Sequence, residues 1–153
     1  MSLRIIPFEP RHATAFRDLN VAWLRKYFYV EEKDVVLLED SEAQILAPGG
    51  FIFMAEYEGT IAGCCSLIKH TDRVFELGKM AVDPEYQGLR IGQELLRHTV
   101  DHARSRGWEK IILYSNTGLG PALHIYRKFG FKEIPMDAEI PYARSDIKME
   151  LIL

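Results

Sequence analysis

The sequence predicts a three-layer α/β fold in which helices flank a mixed, mostly antiparallel central sheet. Segments with strand-like and helical periodicity follow one another in the order β-α-α-β-β-β-α-β-α-β-β. The three central strands are joined by connections that are too short for a crossover, so this block is antiparallel. Glycine and proline stand at several of the segment boundaries, as expected for turns and helix ends.

The N-terminal half contains one strand, a helical region and then three strands. Apolar residues recur at helical spacing from Pro10 to about Lys26. The stretch 31–46 fits either a second helix or two short turns, and Pro48, Gly49 and Gly50 end it. The predicted strands are 3–7, 51–57, 60–70 and 73–82.

The C-terminal half begins with the longest predicted helix, which stops at Gly107. Its inner face is formed by Ile91, Leu95, Leu96, Thr99, Val100 and Ala103. A second amphipathic helix, 119–128, is closed by Gly130. The predicted strands are 110–114, 131–134 and 146–152.

Length and composition predict a single domain over residues 1–153, since 153 residues with 48% hydrophobic content can build one ordinary core. The net charge of −3, with 19 basic and 22 acidic residues and no basic run, argues against a nucleic-acid partner. The first residues resemble neither a signal peptide nor a membrane span.

The cysteines Cys64 and Cys65 are adjacent in a predicted strand. They therefore point to opposite faces and cannot form an ordinary disulfide or a spaced metal site. Reduced thiols and the lack of an export signal predict a cytoplasmic protein without a membrane partner.

Residues 82–92 run from a strand through a turn into a helix N-terminus. The first N–H groups of a helix lack internal partners, and its dipole stabilises a nearby anion by roughly 0.3 to 1 kcal/mol. Gly88 and Gly92 allow the backbone to approach a phosphate, and Arg90 adds a positive charge. A plain helix cap explains the same pattern. The Walker and Gly-x-Gly-x-x-Gly patterns are both lacking here.

The stretch 87–92, Gln-Gly-Leu-Arg-Ile-Gly, resembles the Gln/Arg-x-x-Gly-x-Gly/Ala signature of the GNAT superfamily of N-acetyltransferases, with Arg90 in place of the middle glycine. Residues 79–82, residues 122–131 and the strand order extend this resemblance over nearly the whole chain. It implies a GNAT-like (acyl-CoA N-acyltransferase) fold, acetyl-CoA as cosubstrate, an amine acceptor and no metal.

The resemblance also implies a position for the cofactor. Its pantetheine arm lies between the fourth and fifth strands and pairs with strand backbone. The implied contacts are Met80, Ala81 and Val82 for the pantetheine, and Gln87, Gly88, Leu89, Arg90, Ile91, Gly92 and Gln93 for the pyrophosphate. Asn116 resembles an asparagine that contacts the pantetheine in many members, although a turn asparagine explains it as well.

A general base is needed because only about one in two thousand lysine-like amines is neutral at pH 7. Alternation along the strand places Glu76 on the same face as Gly78 and Met80, where the amine would approach. The resemblance implies that Glu76 acts as this base, directly or through a water. The alternative is a solvated or salt-bridged strand residue, paired with Lys79 or Arg73.

Tyr126 matches the family tyrosine that hydrogen-bonds or protonates the departing CoA thiolate. A packing aromatic with its hydroxyl in solvent is the alternative. A main-chain N–H near Met80 would polarise the thioester carbonyl.

Other polar residues carry weaker signals. His98 and His102 have the spacing of metal ligands, but a solvated helix flank is the preferred interpretation.

Acids at 31, 32, 34, 39, 40, 137 and 139 fall in the segments that usually wall the family's acceptor pocket, where they would suit a cationic amine or be ordinary surface charge. Tyr142 and Arg144 would line the same pocket, and Arg144 would alternatively hold an acceptor carboxylate.

The sequence thus predicts an N-acetyltransferase that moves an acetyl group from acetyl-CoA to a primary amine by direct attack. A CoA-binding regulatory domain and an enzyme for a longer acyl-CoA are the alternatives. The sequence does not name the amine. Exposed strand edges near the C-terminus leave a homodimer open.

Overall fold

The computed structural model describes residues 2–153, in which seven strands and four helices are formed. The strands are β1 (Leu3–Pro7), β2 (Phe51–Tyr57), β3 (Thr60–Lys69), β4 (Val74–Val82), β5 (Lys110–Ser115), β6 (Lys132–Ile134) and β7 (Ile147–Ile152). The helices are α1 (Ala13–Tyr27), α2 (Glu32–Glu39), α3 (Ile91–Ser105) and α4 (Gly120–Lys128). The predicted order is confirmed, and the stretch 31–46 holds α2 followed by a π-helical turn, Glu42–Leu46.

All seven strands form one sheet in the order β1-β2-β3-β4-β5-β7-β6. Every neighbouring pair is antiparallel except β4 and β5, which are parallel because α3 forms the crossover between them. The predicted mixed, mostly antiparallel sheet is therefore confirmed.

Two apolar clusters cover the two faces of the sheet. On one face, α3 and α4 pack on a cluster that includes Phe53, Leu67 and Leu77. On the other, α1 and α2 pack on a cluster that includes Met54 and Ile52. Cys64 belongs to the α1 face and Cys65 to the α3 face, both as free buried thiols, as the sequence predicts. Among residues 2–153, no helix combines the length and the apolar character needed to cross a membrane.

A bulge in β4 opens the middle of the sheet. Cys64 pairs with Ala81 and Ser66 with Gly78, so two residues of β4, 79 and 80, stand opposite one residue of β3. Lys79 has a φ of 51°, in the left-handed region. A bulge bends its strand, and the pairing of β4 with β5 ends at Leu77, although β4 continues to residue 82. The two strands therefore diverge beyond Leu77.

The bulge overturns the expectation that Glu76 and Met80 share a face. Glu76 pairs with Ile68, which packs against the α1 cluster. Met80 packs against the α3 cluster instead. Strict alternation fails because the inserted residue shifts every later side chain of β4 by one position.

The interpretation of His98 and His102 as a solvated flank is also wrong. Both are half-buried, and both rings lie edge-on against aromatic rings of β2. The His98 ring is 4.6 Å from that of Phe53, and the His102 ring is 4.7 Å from that of Phe51. Burial lowers the pKa of both histidines. They therefore act as neutral packing residues.

Replacing His102 by Phe should make stability less sensitive to acid. Burial, helped by the charges of Arg106 and His98, lowers the pKa of His102 below its ordinary 6.5. The unfolded chain then binds the proton more tightly, so the free energy of unfolding falls as the pH drops below about 6.5. Urea unfolding at pH 8 and pH 5 should show a smaller loss for His102→Phe than for wild type. An unchanged loss, matching that of the exposed control His124→Gln, would contradict this.

Candidate active site

The space between the diverging strands β4 and β5 is a cavity of about 400 Å³. Main chain and side chains of β4 from Glu76 to Val82 form its floor, and β5 forms one wall. The remaining walls come from α1, α3, α4 and the segment before β7. The cavity therefore passes through the sheet and is reached by both helical layers.

The two faces of the sheet divide the cavity into two halves. The α3 half is formed by Leu77, Met80, Val82, Gln87, Gly92, Leu96, Ala122, Ile125 and Tyr126. The α1 half is formed by Asn20, Trp23, Leu24, Phe28, Ile68, Glu76, Tyr142 and Arg144. The two halves meet where β4 and β5 diverge.

Glu76 lies in the α1 half and is only 5% exposed. Its Oε1 is 2.8 Å from Nε2 of His70, at the end of β3. Its Oε2 lies over Gly78, where a methyl group added to that glycine would meet nothing else within 4 Å. The alternative salt bridge to Lys79 or Arg73 is not formed, since His70 is the partner and Arg73 donates to the carbonyl of Gly107. One carboxylate oxygen is thus held while the other faces open space.

Tyr126 lies in the α3 half, on α4, with its ring 5.9 Å from that of Phe131. Within residues 2–153 its hydroxyl has no hydrogen-bond partner. Burial raises the pKa of Tyr126 to about 12, with a smaller contribution from Cys65. The phenol is therefore a protonated donor at neutral pH.

The turn before α3 keeps a glycine-like conformation without the signature glycine. Arg90 has φ 59° and ψ 28°, in the left-handed region, and it precedes the first residue of α3. This conformation costs an L-residue roughly 1 to 2 kcal/mol. No side chain caps the helix, so the N–H groups of residues 91–93 remain available. Arg90 in place of the signature glycine therefore raises the conformational energy of the turn but leaves its backbone conformation unchanged.

The other residues predicted to contact the cofactor differ in whether they line the cavity. Gln87 and Gly92 line the cavity. Gly88, Leu89 and Arg90 are exposed beside it, and Gln93 is half-buried. The side chain of Ile91 is buried in the α3 cluster, so Ile91 offers only its backbone N–H. Met80 and Val82 line the α3 half, and Ala81 lies on the floor with its side chain in the α1 cluster.

Asn116 lines the cavity, but its side chain is engaged in its own loop. Its Nδ2 donates to the carbonyl of Arg144 at 2.7 Å, and its Oδ1 accepts from the N–H of Gly118 at 2.7 Å. This is the behaviour of a turn asparagine. Any contact with a cofactor would use what remains of its hydrogen-bonding capacity.

A buried ion cluster borders the α1 half. Asp34 has no exposed surface, and it accepts from Lys79 Nζ at 2.6 Å and from both Nη atoms of Arg144 at 2.7 and 2.9 Å. Arg144 also donates to Glu31 at 3.0 Å, and Lys79 to the hydroxyl of Tyr142 at 3.1 Å. Burial alone would raise the pKa of Asp34, but hydrogen bonds from Arg144 and Lys79 outweigh burial and lower it. Asp34 is therefore an anion held between two cations.

Two roles were predicted for charge at the pocket: acids would bind a cationic amine, or Arg144 would bind an acceptor carboxylate. The cluster limits both. Glu31 and Asp34 are neutralised by Arg144 and Lys79, so neither acid is left to hold an amine. The charge of Arg144 is likewise already paired, with Glu31 and Asp34, and is not left free for an acceptor carboxylate. Asp137 contacts Tyr114 and Lys148. Glu32, Asp40 and Glu139 remain exposed surface acids.

Two residues of the site were missed by the sequence analysis. His70 lies diagonally across from Glu76, because Ile68 is the direct partner of Glu76 in the β3–β4 hairpin. The predicted strands 60–70 and 73–82 would instead place residue 67 opposite Glu76, one residue out of register, so the sequence alone does not bring His70 beside Glu76. The inward position of Lys79 depends on the bulge, for which the sequence gives no clear signal.

No group of three or more His, Cys, Asp or Glu side chains in the described residues is arranged to hold a metal ion.

Known proteins resemble this chain in sequence and in fold. The family model described as Acetyltransferase (GNAT) family matches residues 14–131. A mycothiol acetyltransferase of Thermomonospora curvata is 32% identical over 134 residues, which cover 85% of this chain and 44% of that protein. The chain thus spans less than half the length of this curated relative.

Two solved structures show the same fold. An acetyltransferase of the GNAT family from Staphylococcus aureus Mu50 superposes with a TM-score of 0.86 at 22% identity, over 97% of this chain and 98% of that one. A spermidine N-acetyltransferase from Vibrio cholerae, solved in complex with CoA and spermine, gives 0.73 at 19% identity, over 98% and 95%. These matches confirm the GNAT-like fold predicted from the sequence.

Asp34→Asn should destabilise the protein by about 3 to 5 kcal/mol, because it leaves the buried Lys79 without its counter-charge. The matched control is Glu32→Gln, which removes the same charge from an exposed position on the same helix and should change stability by less than about 0.5 kcal/mol. Urea unfolding at pH 7 measures both. Equal effects of the two substitutions would show that the cluster does not stabilise the fold.

Proposed function

Because the chain belongs to the GNAT family of acetyltransferases, we propose that it binds acetyl-CoA and transfers the acetyl group to a primary amine by direct attack. One observation carries the proposal: the opening between β4 and β5 joins a half that contains Tyr126 to a half that contains Glu76. A phenol donor and a carboxylate acceptor thus lie on opposite sides of one gap. That arrangement suits a reaction between two substrates that enter from opposite faces.

Acetyl-CoA would occupy the α3 half. Beyond Leu77 the backbone of β4 has no partner strand on the β5 side, so the pantetheine arm can pair with residues 80–82. The pyrophosphate would meet the available N–H groups at the start of α3, next to Gln87 and Gly92. The relative from Vibrio cholerae was solved with CoA, which supports this choice of cofactor.

The amine would enter from the α1 half and lose a proton to Oε2 of Glu76, which faces the open space over Gly78. The neutral amine then attacks the thioester carbonyl, whose oxygen is stabilised by a main-chain N–H near Met80. The carbon–sulfur bond breaks, the positively charged nitrogen loses its second proton to solvent to give the amide, and Tyr126 stabilises the departing thiolate with its hydroxyl.

His70 is a positioning residue in this scheme. When its Nε2 donates to Oε1 of Glu76, the carboxylate cannot rotate freely and Oε2 stays directed into the cavity. Without this bond the buried carboxylate would lose its one side-chain partner among residues 2–153.

The first test combines binding with turnover. Calorimetry should detect acetyl-CoA binding to wild type and none to Gly92→Trp, whose indole would fill the turn. With a primary amine that the wild type acetylates, Glu76→Gln should lower kcat by about 100- to 10,000-fold. Tyr126→Phe, which loses a hydrogen bond to a charged group, should lower kcat by about 10- to 100-fold. Both variants should retain the wild-type Kd for acetyl-CoA.

Each alternative function has its own outcome in this test. Acetyl-CoA binding without transfer to any amine would identify a regulatory CoA-binding domain. Faster turnover with a longer acyl-CoA would indicate that the open space over Gly78 accommodates a longer chain. If wild type did not bind acetyl-CoA, the transferase proposal would be abandoned.

The role of His70 predicts a difference between two substitutions. His70→Ala removes the donor to Glu76 and should lower kcat by about 10- to 100-fold, the value of a hydrogen bond to a charged group. His70→Gln keeps an N–H donor and should recover most of this loss. The KM for acetyl-CoA should not change in either variant. If Gln were no better than Ala, or if the exposed control His124→Ala had the same effect, the positioning role would be rejected.

A further inference from the structure

The α1 half of the cavity is walled by apolar and aromatic side chains. Trp23, Leu24 and Phe28 come from the end of α1 and the residue after it, Ile68 from β3, and Tyr142 from the segment before β7. Leu24 and Tyr142 are buried, whereas Trp23, Phe28 and Ile68 are partly exposed and present apolar surface to the cavity. A ligand body that fills this half would therefore bury apolar surface against it.

The charges at this wall are already balanced. Lys79 and Arg144 supply two positive charges, and Asp34 and Glu31 supply two negative ones at 2.6 to 3.0 Å. The side chain of Asn20 is also engaged, because its Nδ2 donates to the carbonyl of Phe16 at 2.9 Å. A second ionic group on a ligand would therefore find no uncompensated opposite charge among these four residues.

Glu76 is the one acid among the described residues that line the cavity. Its buried carboxylate can therefore attract one ammonium group. A further ammonium would meet apolar walls or the cations Lys79 and Arg144, and a carboxylate would meet cations whose charges Asp34 and Glu31 already neutralise. Burying an unpaired ion costs far more than a hydrophobic contact contributes.

On the basis of the proposed function, we infer that the acceptor is a monoamine carried on an apolar or aromatic body, and not a polyamine or an amino acid. The amino group would reach Glu76 over Gly78, and the body would lie against Trp23 and Phe28. Selectivity would come from the lack of a partner for a second charge.

Aromatic rings also attract cations, which would favour a diamine. The ring of Tyr142, however, already has three cationic side chains near its face. Lys33, Lys79 and Arg144 lie 4.9, 4.5 and 4.2 Å from its centroid. Trp23 packs against the rings of Tyr27 and Phe28 at 5.2 and 5.8 Å. A second ammonium would thus have to compete with cations that already lie near the Tyr142 ring.

Two matched pairs of amines test the inference. Pentylamine and 1,5-diaminopentane differ by one ammonium group, and 2-phenylethylamine and phenylalanine differ by one carboxylate. We expect kcat/KM to be at least about 10-fold higher for the first member of each pair, because the second member brings an ion that the site leaves unpaired. A diamine or amino acid that is acetylated as well as its partner would overturn the inference and leave the proposed function standing.

A variant locates the selectivity in the α1 half. Trp23→Ala should lower kcat/KM for 2-phenylethylamine by about 10-fold, the effect of losing apolar contact in a pocket, with the Kd for acetyl-CoA unchanged. Tyr29→Ala removes an exposed aromatic that does not line the cavity and should have no effect. Phe28→Ala is a second test in case Trp23→Ala folds poorly. No transfer to any of the four amines would overturn the inference, and failure of a wide primary-amine panel would overturn the proposed function as well.

Discussion

The pairing of Lys79 with the buried Asp34 is the interaction on which the site depends. In a regular strand Lys79 would follow Phe75 and Leu77 onto the α3 face, which would bury its ammonium in an apolar cluster. The bulge at φ 51° turns Lys79 to the other face, where Asp34 and Tyr142 bind it. A left-handed residue costs roughly 1 to 2 kcal/mol, far less than an unpaired buried charge. The same bulge bends β4 where its pairing with β5 ends, so the residue that forms the ion pair also lies where the two strands diverge.

The ion cluster also joins parts of the chain that are distant in sequence. Asp34 lies on α2, Lys79 on β4 and Arg144 in the segment before β7. Lys79 and Arg144 line the α1 half and Asp34 binds both of them from behind, so the position of this wall is set by bonds that do not involve a ligand. Because the cluster is neutral as a whole, it borders apolar walls without imposing a net field on them. A preformed pocket of this kind loses little conformational entropy when an acceptor binds.

The sequence predicted the fold well because its signals are local. Strand and helix order follows from periodicity and from breaks such as Pro48 to Gly50, and the turn before α3 was recognised from its signature despite Arg90. The failures have a common cause. The bulge at Lys79 and the burial of His98 and His102 depend on which segments pack together. A side chain that reads as polar in the sequence can be buried when an aromatic strand such as β2 covers it.

The raised pKa of Tyr126 restricts what its hydroxyl can do at the end of the proposed reaction. An ordinary thiol has a pKa near 8.5, whereas burial raises the pKa of Tyr126 to about 12, so the phenol is a much weaker acid than a thiol in water. A hydrogen bond donated to the thiolate does not require the phenol to lose its proton and strengthens as negative charge collects on sulfur. Burial keeps the phenol protonated, so its O–H remains available as a donor. In the proposed reaction, Tyr126 therefore acts as a hydrogen-bond donor to the leaving group, and the final proton on sulfur comes from solvent.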